Sequence, residues 1–196
     1  MVGWSALLIE TDDVEGWRAE LVRRRAAGEL VAAEIVPGER TVLLDGVPDP
    51  TAAAAAVGGW TPAADPGAGD GSIVELPTVY DGEDLALVAR HWEVSTDEVV
   101  ERHTGTAFRV AFCGFAPGFG YLTGLPAALA VPRLDTPRPR VPAGSVALAG
   151  RYCGVYPGAS PGGWLLIGRT ERRLFDVEAD PPALLSPGTR VRFVHA

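Results

Sequence analysis

The chain has 196 residues, 47% of them hydrophobic, and a formal net charge of −8. That is enough apolar material for a real core and the wrong sign for a general nucleic-acid binder. All 17 residues counted as Lys or Arg are Arg, and Lys, Asn and Gln are absent, which excludes a Schiff base, a Ser–Lys amidase pair, a phosphate-loop Lys, a biotin attachment site and a Cys-His-Asn protease.

The opening MVGWSALLIE turns acidic too soon for a signal peptide, and no apolar run nears the ~18 residues of a membrane span. The expected location is cytoplasmic, with no membrane contact. Residues 4–9 read as a strand. Asp12 or Asp13 caps a helix that runs to about Ala27 and stops at Gly28. Residues 30–36 and 41–44 flank the turn Pro37-Gly38-Glu39-Arg40 as a hairpin. Asp49-Pro50 opens a short Ala-rich helix, residues 61–71 form a Pro/Ala/Gly/Asp-rich loop, and residues 72–80 return as a strand. The order β-α-β-β-α-β predicts a small ferredoxin-like α/β domain over residues 1–80.

The remaining residues, 81–196, have another character. Leu85, Val88 and Trp92 share one face of a predicted helix over 81–92, and Ser95-Thr96-Asp97-Glu98 is a capping box for a second helix ending near Gly105. Beyond Ala107 short strands alternate with Gly/Pro turns, including residues 110–112, 146–148, 165–167 and 189–194. Such a pattern favours a barrel or sandwich, so the predicted class is α+β.

His103 lies on the helical face of Val99 and Val100, turned toward the barrel, and is a candidate acid/base group. Arg133, Arg138, Arg140 and Arg169 each stand beside a Pro-rich turn or strand end. Converging guanidinium groups suit a carboxylate or phosphate. Arg138 reads as surface charge, whereas Arg140 and Arg169 flank apolar strands. Gly158-Ala159-Ser160-Pro161-Gly162 has nucleophile-elbow spacing, but Pro161 lacks the N–H an oxyanion hole needs, and a strand rather than a helix follows. Ser160 remains a hydrogen-bonding candidate. Cys113 and Cys153 have no metal-type spacing and read as buried, reduced thiols. No metal site is expected.

The stretches GFAPGFGYLTGL, PRPRVPAGSV, GVYPGASPGGW and GRT, with VYDGEDLALVA, VVERH and PGTRVRF, resemble the family of 5-oxoprolinase B-type subunits and KipI, also called allophanate hydrolase subunit 1 or the carboxyltransferase subdomain of urea carboxylase. The resemblance covers about residues 73–193; residues 1–72 share only the layout. It implies a cyclophilin-like β-barrel over residues 81–196 after the small α/β domain. It further implies a KipA-like partner (the C-type subunit) with a second cyclophilin-like barrel, an A-type subunit, and ATP as co-substrate of the complex in cleaving 5-oxoproline to L-glutamate. Carried over position by position, it marks His103, Tyr121, Arg133, Ser145, Tyr156, Ser160 and Arg169; with Arg140 added from the arginine cluster, the expected catalytic residues are His103, Arg140, Arg169 and Ser145, and the expected substrate-binding residues Arg133, Tyr121, Tyr156 and Ser160. The family's other activities give two alternatives: a component of a urea carboxylase or allophanate-type carboxyltransferase or amidohydrolase, and a KipI-like inhibitor of a sensor histidine kinase. Two departures stand out. Tyr152-Cys153 occupies the place of a Gln-Thr pair, and Thr189 that of an Asp after Pro-Gly. With no phosphate-binding loop and no complete nucleophile–base set, the chain is expected to be inactive alone.

Overall fold

The computed structural model describes residues 4–64 and 73–196, and its strands form three sheets. The first holds β1 (Leu7–Glu10), β2 (Glu34–Pro37) and β3 (Thr41–Asp45), antiparallel in the order β1-β3-β2. Helix α1 (Val14–Ala26) starts where Asp13 accepts the Gly16 N–H at 2.9 Å, and α2 (Pro50–Val57) where Asp49 accepts from Thr51 and Ala52. Each cap satisfies amide donors that have no partner within the helix. Leu21, Val42 and Leu44 are fully buried at the centre of this unit, with Leu7, Leu30 and Val57 around them.

The sequence pattern places a fourth strand in this unit and its boundary at residue 80. The structure corrects both. Strand β4 (Ile73–Thr78) runs parallel to β12 (Arg190–His195) over six residue pairs, with Leu76 fully buried in the other core. The chain accordingly divides into residues 1–68 and 69–196, and the first unit has three strands, not the four of a ferredoxin-like sheet, among the described residues. Alternating polarity marks a half-buried strand but does not say which sheet takes it. The loop expected over residues 61–71 lies mostly outside the described residues.

In the second unit seven strands follow the order β11-β8-β9-β6-β5-β12-β4. The five not yet placed are β5 (Phe108–Cys113), β6 (Gly120–Thr123), β8 (Ser145–Ala149), β9 (Tyr152–Val155) and β11 (Leu165–Arg169). The two sheet edges meet where Val79 and Arg169 exchange both backbone hydrogen bonds, at 2.9 and 2.8 Å. This closes the sheet into a nearly complete barrel and removes its open edges. Its interior is packed with Phe108, Leu122, Val146, Leu148, Val155, Ile167 and Phe193. Helix α3 (Leu85–Trp92) adds Val88 and Trp92 to that core. Helix α4 (Thr96–Thr104) adds Val99 and is started by the predicted Ser95/Glu98 capping box.

The first of these helices begins at Leu85, not at Asp81, because residues 82–84 run along β11 instead. The Gly82 and Asp84 amides donate to the Ile167 and Leu166 carbonyls. A Cβ on Gly82 would collide with the Leu166 carbonyl, so only Gly fits there. The Asp84 carboxylate makes no helix cap. It accepts the Leu166 N–H at 2.7 Å and two bonds from Arg138 at 2.8 and 2.7 Å.

A second layer covers the outer face of the barrel. Along β8, Val146 and Leu148 point into the barrel core while Ala147 and Ala149 point out, as the two-residue period of a strand requires. The two small residues leave room for Phe119, Trp164 and Tyr156. A separate two-stranded ribbon, β7 (Arg138–Val141) with β10 (Ser160–Gly162), contributes Val141 to this layer.

Candidate functional site

The outer layer is dense in aromatic rings. Phe112 stacks on Tyr121 with centroids 4.3 Å apart, Phe119 meets Tyr156 edge-on at 5.5 Å, and Trp164 meets both Phe119 and Tyr121 edge-on. Gly162 lies against the Tyr156 hydroxyl so closely that any side chain there would strike it. Burial raises the Tyr156 phenol above its ordinary pKa, opposed by the Trp164 backbone N–H and by the nearby positive charge of Arg133. A phenol so placed stays protonated near neutral pH and serves as a hydrogen-bond donor.

Three more polar groups gather here. Arg133 is exposed and precedes Leu134, whose N–H donates to the Gly163 carbonyl at 2.8 Å. Ser160 pairs with Val141, which belongs to the aromatic layer. Its Oγ is buried and has no hydrogen-bond partner among the described residues. Buried hydroxyls are seldom left unsatisfied, and the partner of one that meets no protein group is an ordered water, an ion or a ligand. The Tyr121 hydroxyl lies near enough to Tyr156 to influence its ionisation. The structure thus gathers the Arg133 charge and the Tyr121 phenol around Tyr156, itself 2% exposed, on an aromatic floor, with Ser160 two residues from Gly162 on the adjoining ribbon. Such a set can hold a small anion by its carboxylate while an apolar face rests on the rings.

The other four candidate residues lie elsewhere. Arg169 and Ser145 pair on adjacent strands at the barrel seam. Arg169 is half exposed and its Nε donates to Asp81 at 2.9 Å, while Ser145 is buried. A cleft of about 400 Å³ opens beside them, lined by Pro77, Val79, Arg169, Thr170 and Arg172. Arg140 is exposed on β7. His103 is sealed in the barrel interior at 0% exposure, its Nδ1 2.7 Å from the Tyr80 hydroxyl and its Nε2 3.3 Å from Cys153 Sγ. It faces the barrel, as its helical position implies, but from inside the packed core.

Arg138 is not the surface charge its sequence context suggests. Its guanidinium is only 18% exposed and is clamped by Asp84 and Glu83. Cys153 is fully buried, whereas Cys113 is only half-buried. Two residues have no sequence signal that singles them out. Asp84 is one of several acids in DGEDL. Phe115, in GFAPGFG, looks like one more apolar residue between glycines. Among the described residues no helix is long and apolar enough to cross a membrane, and no group of His, Cys, Asp or Glu is placed to hold a metal ion.

The burial of His103 has a measurable consequence. It lowers the imidazole pKa from 6.5 to about 3. As pH falls below 6.5 the unfolded chain takes up a proton that the folded chain refuses, so stability is present at neutral pH and is lost on acidification. The loss is about 1.4 kcal/mol per pH unit, or about 2 kcal/mol between pH 6.5 and 5. Urea unfolding at pH 7 and pH 5 should show that difference in the parent, and His103→Gln should flatten it. An unchanged slope in the variant would assign the acid sensitivity to other groups.

The family model for the carboxyltransferase domain, subdomain C and D, matches residues 2–185. The chain belongs to this family. Three curated family relatives, each named as the B-type subunit of 5-oxoprolinase, match at 43–52% identity. That of Escherichia coli O157:H7 is 52% identical over 125 residues, an alignment that takes in 62% of this chain and 57% of the relative. The chain thus spans a little over half the length of the curated relatives it matches. A conserved uncharacterized protein of Pyrococcus horikoshii has the same fold at a TM-score of 0.61 and 33% identity, covering 100% of this chain and 95% of that one. The Kluyveromyces lactis urea carboxylase superposes with a TM-score of 0.64 over 98% of this chain and 21% of its own, at 18% identity, a likeness of fold alone.

Proposed function

We propose that the chain is one component of an ATP-dependent 5-oxoprolinase-type complex that cleaves 5-oxoproline to L-glutamate, with its site shared with a KipA-like partner of the C type. The observation that carries this reading is the 52% identity over 125 residues to the B-type subunit of a 5-oxoprolinase. The chemistry of the outer site supports it. Arg133 and the phenols of Tyr121 and Tyr156 suit the substrate carboxylate, and the unsatisfied Ser160 hydroxyl suits the lactam amide.

The rest of the reaction needs groups that this chain does not supply. It has no Lys, and its buried imidazole has no path to a bound substrate. Activation of the lactam by ATP and delivery of water therefore fall to the A-type and KipA-like partners. In this division of labour the chain binds, orients and excludes water. We expect the purified chain alone to show no ATP-coupled turnover of 5-oxo-L-proline, and turnover to appear on adding the two partners. Robust turnover by the chain alone would overturn the shared site. No turnover by the complete set would overturn the assigned reaction.

A further inference from the structure

The segment Gly114–Gly118 carries a feature that neither the fold nor the proposed reaction uses. Phe115 has φ +68 and is one of two non-glycine residues among those described with a left-handed backbone. The Ala116 N–H donates to the Gly114 carbonyl at 2.7 Å, directly across it. A hydrogen bond from residue i+2 to residue i around a positive-φ centre makes a γ-turn of the rarer hand, a strained conformation. Gly adopts it freely and Asn tolerates positive φ well, whereas a bulky aromatic residue does not.

The turn is not a floppy tip. The Gly114 N–H donates to the Phe119 carbonyl at 3.2 Å and the Phe119 N–H to the Ala116 carbonyl at 2.9 Å. Next to it, Gly118 (φ +83) packs so closely on Phe175 that an added Cβ would stand 2.7 Å from the Phe175 Cβ. The strained conformation is therefore held from both sides. Yet Phe115 is 60% exposed, and its ring meets Phe119 (5.3 Å) and Tyr156 (6.1 Å) edge-on. A fold that needed only a turn here would be better served by Gly. Strain maintained around an exposed ring, at the rim of a cluster holding a cation, two phenols and an unsatisfied hydroxyl, points to a role in binding.

We propose that Phe115 is a specificity-determining wall of the site formed by Arg133, Tyr121, Tyr156 and Ser160: its ring packs on the apolar face of a compact ring-bearing carboxylate whose anionic end is held by Arg133. The proposal rests on the carboxylate reading of that site. A single exposed ring beside the group of Arg133 and the two phenols favours a small ligand over a protein surface, which would present a broader apolar patch.

The test measures binding of 5-oxo-L-proline, cyclopentanecarboxylate and acetate to the full chain by calorimetry, for the parent and for Phe115→Gly and Phe115→Asn. The parent should bind ring carboxylates about fivefold to tenfold more tightly than acetate, a typical worth for one aromatic face. Both variants should lose that preference, keep acetate affinity, and melt at or above the parent temperature because the strained turn is relieved. Ring preference retained in the variants overturns the proposal. So does retained preference with a lowered melting temperature, which makes Phe115 a fold element. Retained preference with loss of the multi-component complex on size-exclusion chromatography likewise overturns it and assigns the ring to a partner contact. If the parent binds cyclopentanecarboxylate but not 5-oxo-L-proline, and the variants lose that binding, the wall stands and the 5-oxoproline reading fails. If the parent prefers no ring carboxylate, the wall is wrong, and turnover with the two partners still decides the functional reading.

Discussion

Asp84→Ala is expected to destabilise the second unit by about 3–5 kcal/mol, the usual consequence of stripping a buried charge of its partner. Asp84 is 7% exposed and ties three segments together: the start of α3, the Leu166 amide on β11 and the Arg138 guanidinium on β7. Removing it leaves a mostly buried Arg138 with the exposed Glu83 as its counter-charge and a long 3.4 Å bond to the Trp164 carbonyl, and an amide without its acceptor. Glu83, 62% exposed, gives little compensation because solvent screens it. Urea unfolding at pH 7 measures the loss directly. Replacing both partners, as Asp84→Leu with Arg138→Leu, should recover much of it, since no lone charge then remains. A loss below about 1 kcal/mol for Asp84→Ala would mean that water already screens the pair.

The second large effect is on activity. In the reconstituted complex, Arg133→Lys should lower kcat/KM about tenfold to hundredfold, the loss of a charged hydrogen bond worth roughly 1.5–3 kcal/mol. Lys keeps the charge and loses the two-pronged geometry that grips a carboxylate. Complex formation on size-exclusion chromatography must be unchanged, since Arg133 is exposed and its replacement keeps the charge. The same substitution at Arg140 and Arg169 separates the two regions. A loss at Arg133 with none at the other two places the substrate on the aromatic face, and a loss at Arg169 alone places it at the barrel seam. Parent rates for all three would make the cluster ordinary surface charge.

What the sequence disclosed was local. The caps at Asp13, Asp49 and Ser95/Glu98 are settled by a residue and the amides two or three positions on, so composition alone locates those helix starts. The strands around Val110, Val146 and Leu165 announced themselves as short apolar runs between Gly and Pro turns. The destination of β4 did not, because its partner β12 lies at the other end of the unit and parallel pairing leaves no local mark. Asp84 was passed over for a related reason: it falls inside the helix predicted over residues 81–92, and only the arrival of Arg138 from β7 shows where its carboxylate goes. At the site, Arg133, Tyr121, Tyr156 and Ser160 were singled out together by the family resemblance, since their own spacing along the chain does not link them. Helical periodicity put His103 on the right face of α4 but could not tell a solvent-lined barrel from a packed one. Phe115 was illegible because nothing in its neighbours specifies a positive φ at a residue other than Gly.

The seam between β4 and β11 makes the barrel a ring with a clasp. Six of its seven strand-to-strand joints are pairings within the sheet, and the seventh is one reciprocal backbone pair at Val79 and Arg169. Across that clasp the Arg169 side chain reaches Asp81, two residues beyond Val79, as a latch. Parting that clasp means breaking two hydrogen bonds and one exposed ion pair, and then the Gly82 and Asp84 bonds to β11 that prolong it, while the six-pair ladder of β4 on β12 stays intact. That line of few backbone bonds borders the cleft at Arg169, and local opening of a fold starts where such bonds are fewest.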